Sequence, residues 1–182
     1  MATTPFTNPA GRAPAPASEY ARSILSLLGE QDPVAVQAKT VGRLRVAIAG
    51  LSAAALERPE APGKWSVAQV IRHLADSEVV CGWRLRLVLS QDRPAVTGYD
   101  QDAWVLRLRG AYPDVASSLA VLDALRGSHL RLLRSLKPDE WAREGVHVER
   151  GPESVSMMAQ LYAGHDLAHL NQIERIKNTL RL

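Results

Sequence analysis

Between Ser66 and Leu89 the residues Val70, Ile71, Leu74, Cys81 and Leu85 recur at helical spacing, and no feature of the chain constrains its fold more. Such a stripe lies along one face of an α-helix and must be buried against other elements. Ser66 with Gln69 three residues on forms a capping box, and Trp65 before it can staple onto Val70. The same grammar appears three more times. Asp32-Pro33 opens a helix expected over about residues 33–49, carried by Val41, Leu44 and Ile48 and stopped by Gly50. A third long helix is expected over about residues 114–136 on Leu119, Leu122, Leu125, Leu132 and Leu133, ended by Pro138. A fourth is expected over about residues 153–178 on Met158, Leu161, Tyr162, Ala168, Ile173 and Ile176. A shorter helix is expected over residues 19–29. Residues 91–114, punctuated by Pro94, Gly98, Gly110 and Pro113, read as irregular, with a short helix around residues 100–108. So long a connection implies a crossover that serves as a lid or pocket wall. No strand, internal repeat or coiled-coil heptad is evident. The expected fold class is all-α, an antiparallel four-helix bundle with a long crossover between helices two and three.

At 182 residues, 46% hydrophobic and 23% charged, the chain can bury a substantial core. Residues 19–182 are read as one bundle domain, and residues 1–18, rich in Pro, Ala and Thr, as an extended or disordered tail. The N-terminus lacks the charged start and apolar core of a signal peptide, and no stretch is apolar enough to span a membrane. The single cysteine, Cys81, excludes an intramolecular disulfide and reads as a small core residue. A cytoplasmic protein with no membrane partner is therefore expected. The net charge of +3 is mild, and the arginines are scattered without aromatic interleaving, so no nucleic-acid partner is expected.

His165 and His169 form an H-x-x-x-H pair on the apolar stripe of the last helix, one turn apart and pointing inward. His73 lies on the second long helix. A lone histidine on an apolar face is commonly a hydrogen-bonded core residue. Two buried imidazoles each need a partner, however, and a shared metal satisfies both. The pair by itself suits either role. If His73 converges on it, three neutral imidazoles would hold a divalent ion with coordination positions open; zinc, nickel, copper and iron(II) all suit such ligands and the sequence does not choose among them, with zinc or nickel the expectation. Asp76 and Gln172 are candidates to hold the far ring nitrogens. His129 and His147 are left outside the site.

The stretches GKWSVAQVIRHLADSE, WRLRLVLSQDRP, YDQDAW and LYAGHDLAHLNQI together resemble the DinB/YfiT-like family of metalloenzymes, most closely its YfiT branch, which includes bacillithiol transferases and metal-dependent hydrolases. The resemblance spans most of residues 33–178 and rests on Gly63, Trp65, Ser66, Gln69 and His73, then His165 and His169. It implies a four-helix bundle, a homodimer, and a metal held by His73, His165 and His169. The loop GVHVERGPES departs from the family pattern, keeping only His147 and Gly151. Tyr99, Asp102 and Trp104, in the family-like YDQDAW, either line a pocket with Asp102 near the metal, or anchor the crossover with Asp102 capping a short helix. Arg84 and Arg86 either hold carboxylates of a small thiol or form a solvated face or dimer contact.

The resemblance points first to a metal-dependent thiol S-transferase acting in detoxification or stress response. A low-molecular-weight thiol cosubstrate, bound as thiolate, would attack a small-molecule electrophile. The second expectation is a hydrolase activating water on the metal, with Asp102 or Asp166 as the base. The third is a metal-binding module without turnover.

Overall fold

The computed structural model describes residues 14–182. Four long helices form the bundle: α2 (Pro33–Ala47), α4 (Val67–Ser90), α6 (Val115–Ser135) and α8 (Val155–Leu180). Their starts fall close to the expected positions, and each is capped by a side chain. Asp32 accepts from the Val34 amide ahead of α2, and Ser66 and Gln69 close a reciprocal capping box on α4. Asp114 and Ser154 cap α6 and α8 through the amides of Ser117 and Met157. Gly50, at φ 80°, turns the chain after α2.

Two apolar clusters fix the directions of the helices. One joins Leu44 near the end of α2, Val70 near the start of α4, Leu122 from the first half of α6, and Ile173 from the second half of α8. The other joins Cys81, Leu85 and Val88 of α4, Leu133 of α6, and Val155 and Met158 of α8. Hence α4 and α6 run one way, α2 and α8 the other, and the pairs are antiparallel to each other. The crossover at residues 91–114 carries the chain back along the bundle between two parallel helices. It contains α5 (Gln101–Arg107), capped by Asp100 through the Ala103 amide. Short helices α3 (Ala53–Glu57) and α7 (Pro138–Trp141) fill the other connections.

Between the two apolar clusters lies a charged layer. Arg126 of α6 donates to Gln37 O of α2 at 3.0 Å, to Glu78 of α4 at 2.7 Å and to Asp166 of α8 at 2.6 Å. Thr40 of α2 completes Asp166, and His129 of α6 contacts Glu78 at 2.7 Å. One guanidinium thus ties together all four helices of the bundle.

Two features depart from the sequence expectation. A small sheet is present: β1 (Ala95–Val96) pairs in parallel with β2 (Glu144–His147), which pairs antiparallel with β3 (Gly151–Ser154). These strands are too short to show alternation in sequence, and their pairing depends on the crossover meeting the loop before α8. The helix α1 (Pro14–Leu28) begins inside the stretch 1–18 expected to be a tail; residues 1–13 lie outside the described residues. Helix α1 packs Ile24 against Leu161 and Ala168 of α8. A Cβ on Gly164 would meet Ile24 O at 2.2 Å, so glycine permits this close approach.

Candidate metal centre

The capping box at the start of α4 sets the phase that turns His73 inward, two turns into the helix. On α8, His165 and His169 lie one turn apart on the face meeting α4. His165 Nε2 lies 2.9 Å from His73 Nε2 and 3.0 Å from His169 Nε2. His73 and His169 are buried, whereas His165 is half-buried and faces a cavity. Trp65 covers the rear, its ring centroid 5.0 Å from that of His73 and 6.4 Å from that of His169.

Proton counting tests whether these rings suit a metal. His169 Nδ1 lies 2.7 Å from Gln172 Oε1, an oxygen that can only accept. Nδ1 therefore carries the His169 proton and Nε2 presents a lone pair. A neutral His165 has at most one proton on Nε2, so it cannot serve both neighbours as a donor. His73 Nδ1 is buried with no hydrogen-bond partner. Hydrogen bonding thus leaves the three Nε2 atoms unsatisfied, whereas a divalent cation facing them takes up all three lone pairs, with the His73 proton left on its unpartnered Nδ1. A tetrahedral ion with nitrogen ligands at about 2.0–2.1 Å sets them about 3.3 Å apart, a small expansion of the separations here. Burial pushes His73 and His165 well below the usual imidazole range, aided by repulsion from the neighbouring rings. It takes His169 down to about 4 against the pull of Gln172. The neutral, ligating form is therefore the resting form at neutral pH.

Beside His73 and His165 lies a cavity of about 70 Å³ that opens to solvent. Its walls come from α1 (Tyr20, Ile24), α4 (Ser77, Arg84), the crossover (Tyr99, Gln101) and α8 (Met158, Leu161, Tyr162). The histidines thus form part of one wall of the cavity, a layout that would permit chemistry on a bound ligand.

Comparison with known proteins agrees with this geometry. Residues 38–173 match the DinB superfamily. The chain belongs to the DinB superfamily. Among its relatives is YfiT of Bacillus subtilis, by name a candidate metal-dependent hydrolase, 29% identical over 88% of this chain and 93% of that protein. A Bacillus mycoides relative with the same kind of name is 30% identical over 74% of this chain and 77% of its own length. The solved structure of YfiT, described as having an unusual four-helix bundle topology, superposes with a TM-score of 0.76. It is 28% identical, covering 82% of this chain and 86% of the YfiT chain.

Within this DinB-superfamily fold the other residues singled out from sequence divide sharply. Gln172 holds His169 as expected, but Asp76 does not hold His73: it accepts from Tyr112 Oη at 2.9 Å. Asp102 does not cap α5, a role taken by Asp100; it is exposed and hydrogen-bonds to Trp65, tying the crossover to the aromatic lid of the histidines. Asp166 is engaged by Arg126 and Thr40 in the charged layer and faces away from any water-activating role. Tyr99 lines the cavity and hydrogen-bonds to Ser77, while Trp104 packs on Tyr99 at 4.8 Å and is not among the lining residues. Arg84 lines the cavity; Arg86 instead turns back to Gly82 O. Cys81 is buried in the core, as expected.

Neither the charged layer nor Gln101 is among the features singled out from sequence. Glu78, Arg126 and Asp166 each sit in register with apolar stripes, Glu78 between Leu74 and Cys81, and Arg126 between Leu122 and Leu133. A charge in such a register is a readable signal of a buried ionic partner. Glu78, Cys81 and His129 could also group around a cation, but Arg126 already neutralises Glu78.

Proposed function

We propose that His73, His165 and His169 hold a divalent metal and that the chain is a metal-dependent enzyme of the thiol S-transferase type. When bound, the ion would supply a Lewis-acidic centre that favours the thiolate form of a coordinating thiol. The chain's own residues do the rest. Gln172 fixes the His169 tautomer, Trp65 excludes water behind the rings, and the cavity walls hold the electrophile beside His165. In the transfer a sulfur–carbon bond forms, and the displaced electron pair leaves with the departing group or takes up the thiol's proton.

One observation carries the choice of transfer over hydrolysis. Among the described residues, Glu153 is the sole carboxylate lining the cavity, and both its oxygens are held by Arg150. Asp102 and Asp166 are engaged elsewhere. A hydrolase needs a base beside the attacking water, whereas a thiol arrives as its own nucleophile once ionised. The names of the relatives support hydrolysis as the second reading.

The test loads the full chain and His165→Ala with zinc or nickel and follows loss of free thiol from a panel of small thiols with a fluorogenic bimane electrophile. Metal-dependent acceleration by the parent, absent in His165→Ala, is the expected result. Ester or amide hydrolysis with no thiol consumption would replace this reading with the hydrolytic one.

A further inference from the structure

Arg84 is a buried cation without a counterion. Its residue is 6% exposed, and no carboxylate lies within ion-pair distance of its guanidinium. Every acidic residue of the chain is among the described residues, so none from elsewhere completes the pair. Its Nη atoms donate to Tyr162 Oη at 3.2 Å and Thr97 O at 2.5 Å, both uncharged, and its Nε is buried with no partner. The nearby acid, Glu153, is bound through both oxygens by Arg150 and acts on Arg84 only at a distance.

Two further observations point the same way. Gln101, also 6% exposed, lines the same cavity from the crossover and leaves its Nε2 donor without a partner. His147 Nδ1 accepts from the Glu149 amide, so the ring's proton sits on Nε2, facing the Arg84 Nη2 atom at 3.5 Å. Donors crowd around Arg84, and the group they lack is an acceptor. The charge count limits which one. The cavity is lined by two guanidiniums and one carboxylate, and Arg150 with Glu153 neutralise each other. Apart from the ion proposed on the histidines, the remaining charge is that of one arginine, which matches one carboxylate.

We propose that Arg84, with Gln101 as a second donor, forms an anchor for the carboxylate of a small ligand in the cavity beside the histidines. This deepens the enzymatic reading by naming a substrate class, and it rests on that reading only in treating the cavity as the substrate pocket. Planar carboxylate and planar guanidinium suit each other, and the apolar wall of Ile24, Met158 and Leu161 suits a hydrocarbon body.

The test compares 4-phenylbutyrate with its neutral isostere 4-phenylbutanamide, by calorimetric titration of the full chain, metal-stripped and zinc-loaded. The expected result is at least tenfold tighter binding of the carboxylate in both forms. Arg84→Met should bring the two ligands to within twofold, and Arg84→Lys should retain part of the preference. Equal affinity of the two ligands for the stripped parent would overturn the proposal without any variant having to fold. So would a preference seen only in the loaded protein and surviving Arg84→Met, because the metal would then be the anchor. A preference that persists in a chain that binds no metal would keep the Arg84 site and remove the metalloenzyme reading instead.

Discussion

Replacing Arg126 with methionine should show how much of the bundle's stability depends on the charged layer. Methionine keeps much of the side-chain stem and removes the charge, stranding Glu78 and Asp166, whose side chains are each 1% exposed. Removing one partner of a buried ion pair destabilises by about 3–5 kcal/mol, because the remaining charge stays desolvated. The carboxyls can escape by protonation, which limits the loss. A carboxyl left buried without its cation is pushed above its usual range in the folded state, so the variant loses more stability at pH 8 than at pH 5. The sign follows from proton counting. The folded variant binds more protons than its unfolded chain, so its stability falls as pH rises. In the parent Arg126 and His129 hold the Glu78 carboxyl below its usual range against the effect of burial, which gives the opposite slope as pH falls through that range. Asp166 is raised by burial despite Arg126, so its contribution in the parent already opposes that of Glu78. Urea denaturation of metal-free parent and Arg126→Met at both pH values reads the difference directly. A destabilisation of about 3–5 kcal/mol at pH 8 that shrinks at pH 5 is expected. A loss below about 1 kcal/mol, or one independent of pH, would refute the claim that this guanidinium is what neutralises the layer.

Gln172→Met removes the acceptor that fixes the His169 tautomer, and metal affinity measured by competition with a chelator should fall about 10–100-fold. Unchanged affinity would mean the tautomer is set by something else. Gly164→Ala places a methyl against Ile24 O, and thermal denaturation should register about 1–3 kcal/mol of destabilisation, with amide exchange rising in α1 ahead of α4. Metal-free protein should lose stability on acidification. Between pH 6.5 and about 4 the unfolded chain binds a proton that His169 in the folded chain does not, worth roughly 3 kcal/mol from this ring alone. This stabilisation is fully present above pH 6.5, and a flat denaturation midpoint across that window would contradict the buried neutral ring.

The sequence by itself determined the helices and the histidine set. Capping at Ser66, Asp114 and Ser154 is local chemistry, and helical periodicity is a property of each segment alone, so both could be read without knowing any neighbour. The H-x-x-x-H spacing likewise guarantees two imidazoles on one face of α8, and the Gln172 contact is three residues from His169 on the same helix. Partners across the bundle were a different matter. Asp76 is one turn from His73 in sequence yet bonds Tyr112 from beyond the crossover. Asp166, beside His165, is claimed by Arg126, and Arg84 faces the cavity while Arg86, two residues on, does not. The sheet, too, exists only because segments about fifty residues apart meet. The side-chain pairs and the cavity depend on which helices lie side by side and in which direction. That is decided by burying all the apolar stripes at once around one guanidinium, a collective condition that no single segment expresses.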